Sequence, residues 1–357
     1  MRAGLLPGAR AERSWQRWRA ATGGAADTAS RRLLPLAEWN LRRIAGRLPA
    51  PEEPGFVETE WLLNEGRIEA AAAVLRELAR RGLSPVVLKG LALSHLFYPH
   101  RALRPMADID LLLSPEQFEQ GRTALSELGW RAVGGDPASR LKHLHGLAYE
   151  RAGAPELDLH AHALLECCSP DADRSFLARA VRFELSGVQA RTLSPADHLL
   201  CLCVHGLRWS TAPAIHWAAD AVMLLRCVGE ELDWDVLVAE AFQRDLALPV
   251  ARALRLIQEE LEADVDEEAL SRLARGSRGW LARLEFAARV APLGLAAGLF
   301  LHWRDLARER REASAIKRLW LFPGYLRELW GLDRSWKVPL EAARRSLARS
   351  SAAPRAD

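Results

Sequence analysis

The stretch from Pro85 to Leu113, PVVLKGLALSHLFYPHRALRPMADIDLLL, constrains the fold more than any other part of the chain. Its first four residues form a short apolar run of the kind that makes a buried strand, and Lys89-Gly90 ends that run where a helical pattern, Leu91 to Tyr98, takes over. A lysine and a glycine at a strand-to-helix turn sit where free backbone N–H groups and the positive end of a helix dipole favour bound phosphate. Arg104-Pro105 breaks the pattern, and Ala107 to Leu113 then reads as a second apolar strand carrying two carboxylates. With a strand rise of about 3.3 Å per residue and alternating faces, Asp108 and Asp110 point the same way with Cα atoms about 6.6 Å apart. Two acids at that separation can converge on one hard cation. An Asp-x-Asp pair alone is common in solvated loops, but carboxylates inside an apolar strand are costly unless paired or metal-bound.

A length of 357 residues with 49% hydrophobic side chains is enough for two domains with substantial cores. The formal charge of +3 argues neither for nor against nucleic acid. Five cysteines, Cys167, Cys168, Cys201, Cys203 and Cys227, are odd in number and unevenly placed, which points to a reducing cytoplasm rather than a disulfide framework. Cys201, Cys203 and His205 have ligand chemistry, but their apolar helical context favours packing over metal. The longest apolar candidate for a span, Val290 to Trp303, is too short for a bilayer core of about 30 Å and reads as a buried helix, so no stable membrane insertion is expected. The N-terminus has no continuous apolar run followed by a cleavage site, so a secretory signal is not expected.

Residues 1–30, rich in Arg, Ala and Gly, predict disorder or a start codon placed too early. Helices are expected over 32–48 and 59–80, separated by a Pro-rich segment at 49–54. After the central stretch, Ser114-Pro115 opens a helix over 116–128, and strands follow near 130–133, 146–151 and 155–160. Beyond residue 192 the periodicity is helical, beginning at the Ser194-Pro195-Ala196-Asp197 cap. The segment Ile316 to Leu332 interleaves Trp320, Phe322, Tyr325 and Trp330 with Lys317, Arg318 and Arg327. It reads first as a packed helix with a charged outer face, and second as a surface for nucleic acid or another anion.

A third acid for the cation comes from Glu156-Leu157-Asp158-Leu159-His160, where alternation puts Glu156, Asp158 and His160 on one face. Asp158, mid-strand between leucines, is the better partner for Asp108 and Asp110. These motifs, Leu88-Lys89-Gly90, Leu103-Arg104-Pro105-Met106-Ala107-Asp108-Ile109-Asp110-Leu111-Leu112 and Leu157-Asp158-Leu159-His160, resemble those of an uncharacterised bacterial nucleotidyltransferase-like family in the polymerase-beta-type superfamily. The likeness continues through Ser194-Pro195-Ala196-Asp197-His198, His205 and Trp217-Ala218-Ala219-Asp220, and covers most of residues 60–345.

The resemblance implies an α+β fold: a mixed sheet with flanking helices over 31–191, then an all-helical domain over 192–345, with a disordered tail at 346–357. It implies catalytic, metal-holding roles for Asp108, Asp110 and Asp158, with Mg2+, in one or two ions, as cofactor. In the two-ion form one ion activates the acceptor oxygen and the other stabilises the leaving pyrophosphate. The implied reaction moves a nucleoside monophosphate from a nucleoside triphosphate to a small-molecule, peptide or RNA acceptor. Two readings from other classes are a regulatory nucleotide-binding protein with a degenerate site and a toxin-like enzyme that modifies transfer RNA. The chain departs from the wider superfamily in that Gly90 is followed by Leu91 and lies 18 positions before Asp108. Lys89 then takes over part of the phosphate binding, with Gly90 at the turn. Arg104 contacts phosphate or acceptor, or pairs with an aspartate of the metal site. His160 orients a carboxylate or the acceptor, or is a structural hydrogen-bonded histidine; His205 and Asp220 line the cleft or serve packing and capping.

Overall fold

The structure, a computed structural model, describes residues 1–45, 56–134, 145–169, 171–208, 215–277, 279–291 and 294–351. The Pro-rich segment at 49–54 lies outside the described residues. Seven strands, β1 (Val86–Val87), β2 (Asp108–Leu112), β3 (Arg131–Ala132), β4 (Gly146–Glu150), β5 (Glu156–His160), β6 (Val181–Leu185) and β7 (Val188–Thr192), form one mixed sheet in the order β3-β4-β5-β2-β1-β7-β6. The pairs β2–β5 and β1–β7 are parallel, and the other neighbours run antiparallel.

Alternation along the central strands decides what each face meets. Val87, Ile109, Leu111, Leu157 and Leu159 point to one face and pack with Ile68, Leu75 and Leu78 of the helix Phe56–Arg80. Val86 and Leu112 point to the other, where they share a core with Leu199, Leu200, Val222 and Leu254 of the helices Pro195–Gly206, His216–Val228 and Ala247–Leu261. Asp110 alternates with Ile109 and Leu111, so it lies on the face those C-terminal helices cover. The first of them starts as the Ser194-Pro195 signal requires, with the Ser194 side chain accepting from the Asp197 N–H. Cys203 of that helix lies in the apolar core, and all five cysteines are free thiols.

Three features differ from expectation. Residues 1–30 are helical in large part, with helices at Arg2–Leu5 and Gly8–Thr22 and with Leu5 and Leu6 buried. The Asn40 amide clamps them by donating to the carbonyls of Ala3 and Leu6 at 2.8 and 2.9 Å. The apolar runs there are too short to show a period. The β6–β7 hairpin is unanticipated, although Ser186-Gly187 at its turn, both at positive φ (47° and 73°), is a hairpin signal. At the C-terminus the helix Val338–Ser351 runs into the segment expected to be disordered. The apolar stretch 290–303, read as a buried helix, contributes to the helix Leu295–Glu309, which is partly buried. Among the described residues no helix is long and apolar enough to cross a membrane.

Beyond residue 279 come the helices Trp280–Arg289, Leu295–Glu309, Ala315–Leu329 and Val338–Ser351, of which the last three share a small core around Leu326, Trp330, Val338 and Ala342. They are fastened to the rest by charge. Glu285 accepts from Arg289, Arg304 and Arg308, and Arg308 also donates to the Arg244 carbonyl at 3.2 Å.

Candidate active site

Parallel pairing of β2 with β5 sets Asp108 opposite Glu156 and Asp110 opposite Asp158. Facing residues in a sheet have side chains on the same side, so Asp110, Asp158 and His160 offer ligand atoms that all lie within 4.8 Å of one another. Asp108, one strand repeat before Asp110, is on the same face but outside that tight group. Asp110 is buried at 2% exposure, while Asp108 and Asp158 are half-buried.

Two donors converge on one oxygen of Asp110: the Lys89 ammonium at 2.6 Å and His160 Nε2 at 2.7 Å from Oδ1. Burial alone would raise the Asp110 pKa, but the His160 hydrogen bond and the Lys89 charge hold it well below the usual carboxylate range. Burial also opposes the charge on Lys89, and the Asp110 carboxylate more than offsets it, so the lysine pKa moves up. Asp108 and Asp158 show the reverse. Burial first, and then the neighbouring Asp110 charge, raise both. Three carboxylates on one face with one lysine between them are short of positive charge, and a divalent cation would supply it. The donor set is rich in carboxylate oxygen, which suits a hard ion. An ionised Asp110 requires the proton of His160 to lie on Nε2, so in this arrangement the imidazole orients the carboxylate and has no lone pair there for a metal.

Lys89 is held by strain as well as charge. Its φ of 45° is left-handed, a region that non-glycine residues rarely occupy. Gly90 has an ordinary φ, and what it provides is room: a Cβ there would collide with the Arg104 guanidinium. Arg104 pairs with a carboxylate of a later helix rather than with a sheet aspartate. It is buried and donates Nε and Nη2 to the two oxygens of Asp220, at 3.0 and 2.9 Å, while the Tyr98 hydroxyl donates to the same carboxylate at 2.7 Å. Asp220 therefore serves packing between the sheet region and the helix His216–Val228. It also lines a cleft beside Lys89, with His145, Leu164, His205, Arg208 and Trp217 around it. Arg208 is occupied by a bidentate pair with the buried Glu166. His145 stacks edge-on against His160 with ring centroids 4.8 Å apart, and burial first, then the cationic neighbours, keep its pKa low. His145, Tyr98 and Arg208 went unnoticed in the sequence. Only His145, one residue ahead of the β4 run, has a positional signal.

A family described as uncharacterised nucleotidyltransferases matches residues 31–262. The chain belongs to this family. The nucleotidyltransferase match includes all seven strands and the helices that cover the acidic face, and stops before the C-terminal helices from Trp280 onward. None of the curated proteins matches the sequence. Among solved structures, the chain is similar to an antigenic nucleotidyltransferase-like protein from Paracoccidioides brasiliensis, at 13% identity and a TM-score of 0.37, over 58% of this chain and 96% of that one.

Proposed function

We propose that the protein is a cytoplasmic, Mg2+-dependent nucleotidyltransferase that moves a nucleoside monophosphate from a nucleoside triphosphate to an acceptor hydroxyl or phosphate. The observation that carries this reading is the register of β2 against β5, which brings Asp110 and Asp158 face to face beside a lysine at a strand-to-helix turn. Asp110 and Asp158, with Asp108 beside them, would hold the ion. When bound it neutralises charge on the phosphates and the leaving pyrophosphate.

The chain's own residues do the rest. Lys89 binds the phosphates as a point charge. His160 fixes the orientation of Asp110. The acceptor oxygen bonds to the α-phosphorus, the bond from that phosphorus to the bridging oxygen breaks, and pyrophosphate leaves with the electron pair. Asp158, half-buried where Asp110 is buried, would take the acceptor's proton.

The test is incubation of the purified protein with each labelled nucleoside triphosphate, Mg2+ and a cell extract. Labelled product together with released pyrophosphate is expected, and Asp110→Asn should lower turnover at least ~1000-fold with an unchanged melting profile. Turnover that survives in Asp110→Asn rejects the assignment. Tight nucleotide binding without pyrophosphate release would move the reading to a regulatory nucleotide-binding protein.

A further inference from the structure

We propose that the C-terminal helices dock this protein on an anionic lipid surface through the outer face of the helix Ala315–Leu329. Residues 279–351 carry fourteen Lys and Arg against seven Asp and Glu, whereas the whole chain has 49 against 46, so the remainder is net acidic. The larger part of the basic excess lies in this unit, beyond the family match.

Within that unit the helix Ala315–Leu329 packs its apolar side chains along its C-terminal half and leaves those of its first turns exposed. Phe322, Tyr325, Leu326 and Leu329, at helical spacing, belong to the small core with Trp330 and Val338. Ile316, Leu319 and Trp320, at i, i+3 and i+4 in the first turns of the helix, stand 74%, 61% and 85% exposed. A single exposed apolar residue is ordinary, but three on one face of one helix form a patch. Lys317 is exposed beside them, and Arg318, donating to the carbonyls of Arg310 and Arg311 at 3.0 and 2.6 Å, crosses to the end of the helix Leu295–Glu309. Arg310 and Arg311 are themselves exposed and pair with Glu309 and Asp245.

The chemistry of the patch selects the occupant. A helix with Trp and aliphatic side chains on one side and Lys and Arg flanking them lies in the interfacial plane of a bilayer, with its apolar side in the acyl boundary and its cations among headgroup phosphates. Nucleic acid would use cations and a stacking ring, but Ile316 and Leu319 have no π-face to offer a base. A second copy would meet the same sign of charge. Lys317 has a stem long enough to follow the apolar side chains while keeping its charge in the headgroup layer.

The full chain is mixed with phosphatidylcholine vesicles and with vesicles in which about one third of the lipid is phosphatidylglycerol, and the bound fraction is read by sedimentation. Binding to the anionic vesicles alone is expected, falling as salt is raised to about 0.5 M. Trp320→Ser, and separately the pair Ile316→Ser with Leu319→Ser, should weaken it by roughly tenfold or more through lost apolar burial. Lys317→Glu should weaken it about fivefold or more. All of these side chains are exposed, so the variants should keep the parental melting temperature and the parental transfer activity. Equal binding to neutral vesicles, no binding to anionic ones, or full binding by Trp320→Ser overturns the proposal. So does loss of self-association or of RNA retention, rather than of vesicle binding, in the same variants.

Discussion

At the scale of single residues, the ammonium of Lys89 occupies the carboxylate that a cation needs. Lys89→Met should therefore raise the affinity for Mn2+ in the absence of nucleotide, while raising the Michaelis constant for the triphosphate; both are measurable, the first by Mn2+ electron paramagnetic resonance. Metal affinity that falls in the variant would mean that the lysine supports the ion rather than competing with it. Arg104 has a different fate. Truncating it to Ala leaves the buried Asp220 carboxylate with the Tyr98 hydroxyl but without its counter-charge, and the expected result is a loss of about 3–5 kcal/mol of stability in denaturant unfolding. A stable Arg104→Ala protein with impaired nucleotide binding would restore the role expected from the sequence. The acids were legible because strand alternation is short-range, as was the turn lysine. The Arg104–Asp220 pair, 116 positions apart, was not, since no local pattern connects a guanidinium in one loop to a carboxylate in a later helix.

At the scale of elements, the strands that carry the site were readable from apolar runs and punctuating glycines and prolines, with ends shifted by a residue or two. The helix Pro195–Gly206 was readable from its cap. The β6–β7 hairpin was missed because Val181 to Thr192, VRFELSGVQART, mixes charge into both strands, and half of its side chains face solvent. The helix Trp280–Arg289 depends on Glu285, which three arginines surround. Burial would raise its pKa, but Arg308 first and then Arg289 and Arg304 bring it down to about 2. A depressed carboxyl stabilises the fold fully above its ordinary pKa of 4.5 and loses that contribution as pH falls toward 2. Glu285→Gln should accordingly destabilise the C-terminal helices by roughly 3 kcal/mol at neutral pH and flatten the acid limb of their unfolding curve. An unchanged acid limb, followed by tryptophan fluorescence, would show that the arginines find other partners.

At the scale of the whole molecule, one hydrophobic core runs from the sheet residues Val86 and Leu112 into the helices that follow residue 192. A fragment ending at residue 191 would expose that core, and it is expected to show no cooperative thermal transition, whereas residues 1–277 should melt as one unit. Independent folding of the shorter fragment would separate what the core joins. The sequence showed the change from strands to helices but not that the two halves share an interior, because a hydrophobic face does not declare its partner. The pairing of β2 with β5 has a further consequence for how such a chain can vary. The turns of the segment that joins them, a helix followed by β3 and β4, can gain residues, but a shift of β5 by one position would turn Asp158 to the opposite side of the sheet while leaving every residue type in place. Related chains with the same acids are therefore equivalent only when parity along that strand is preserved, and a count of carboxylates cannot substitute for it.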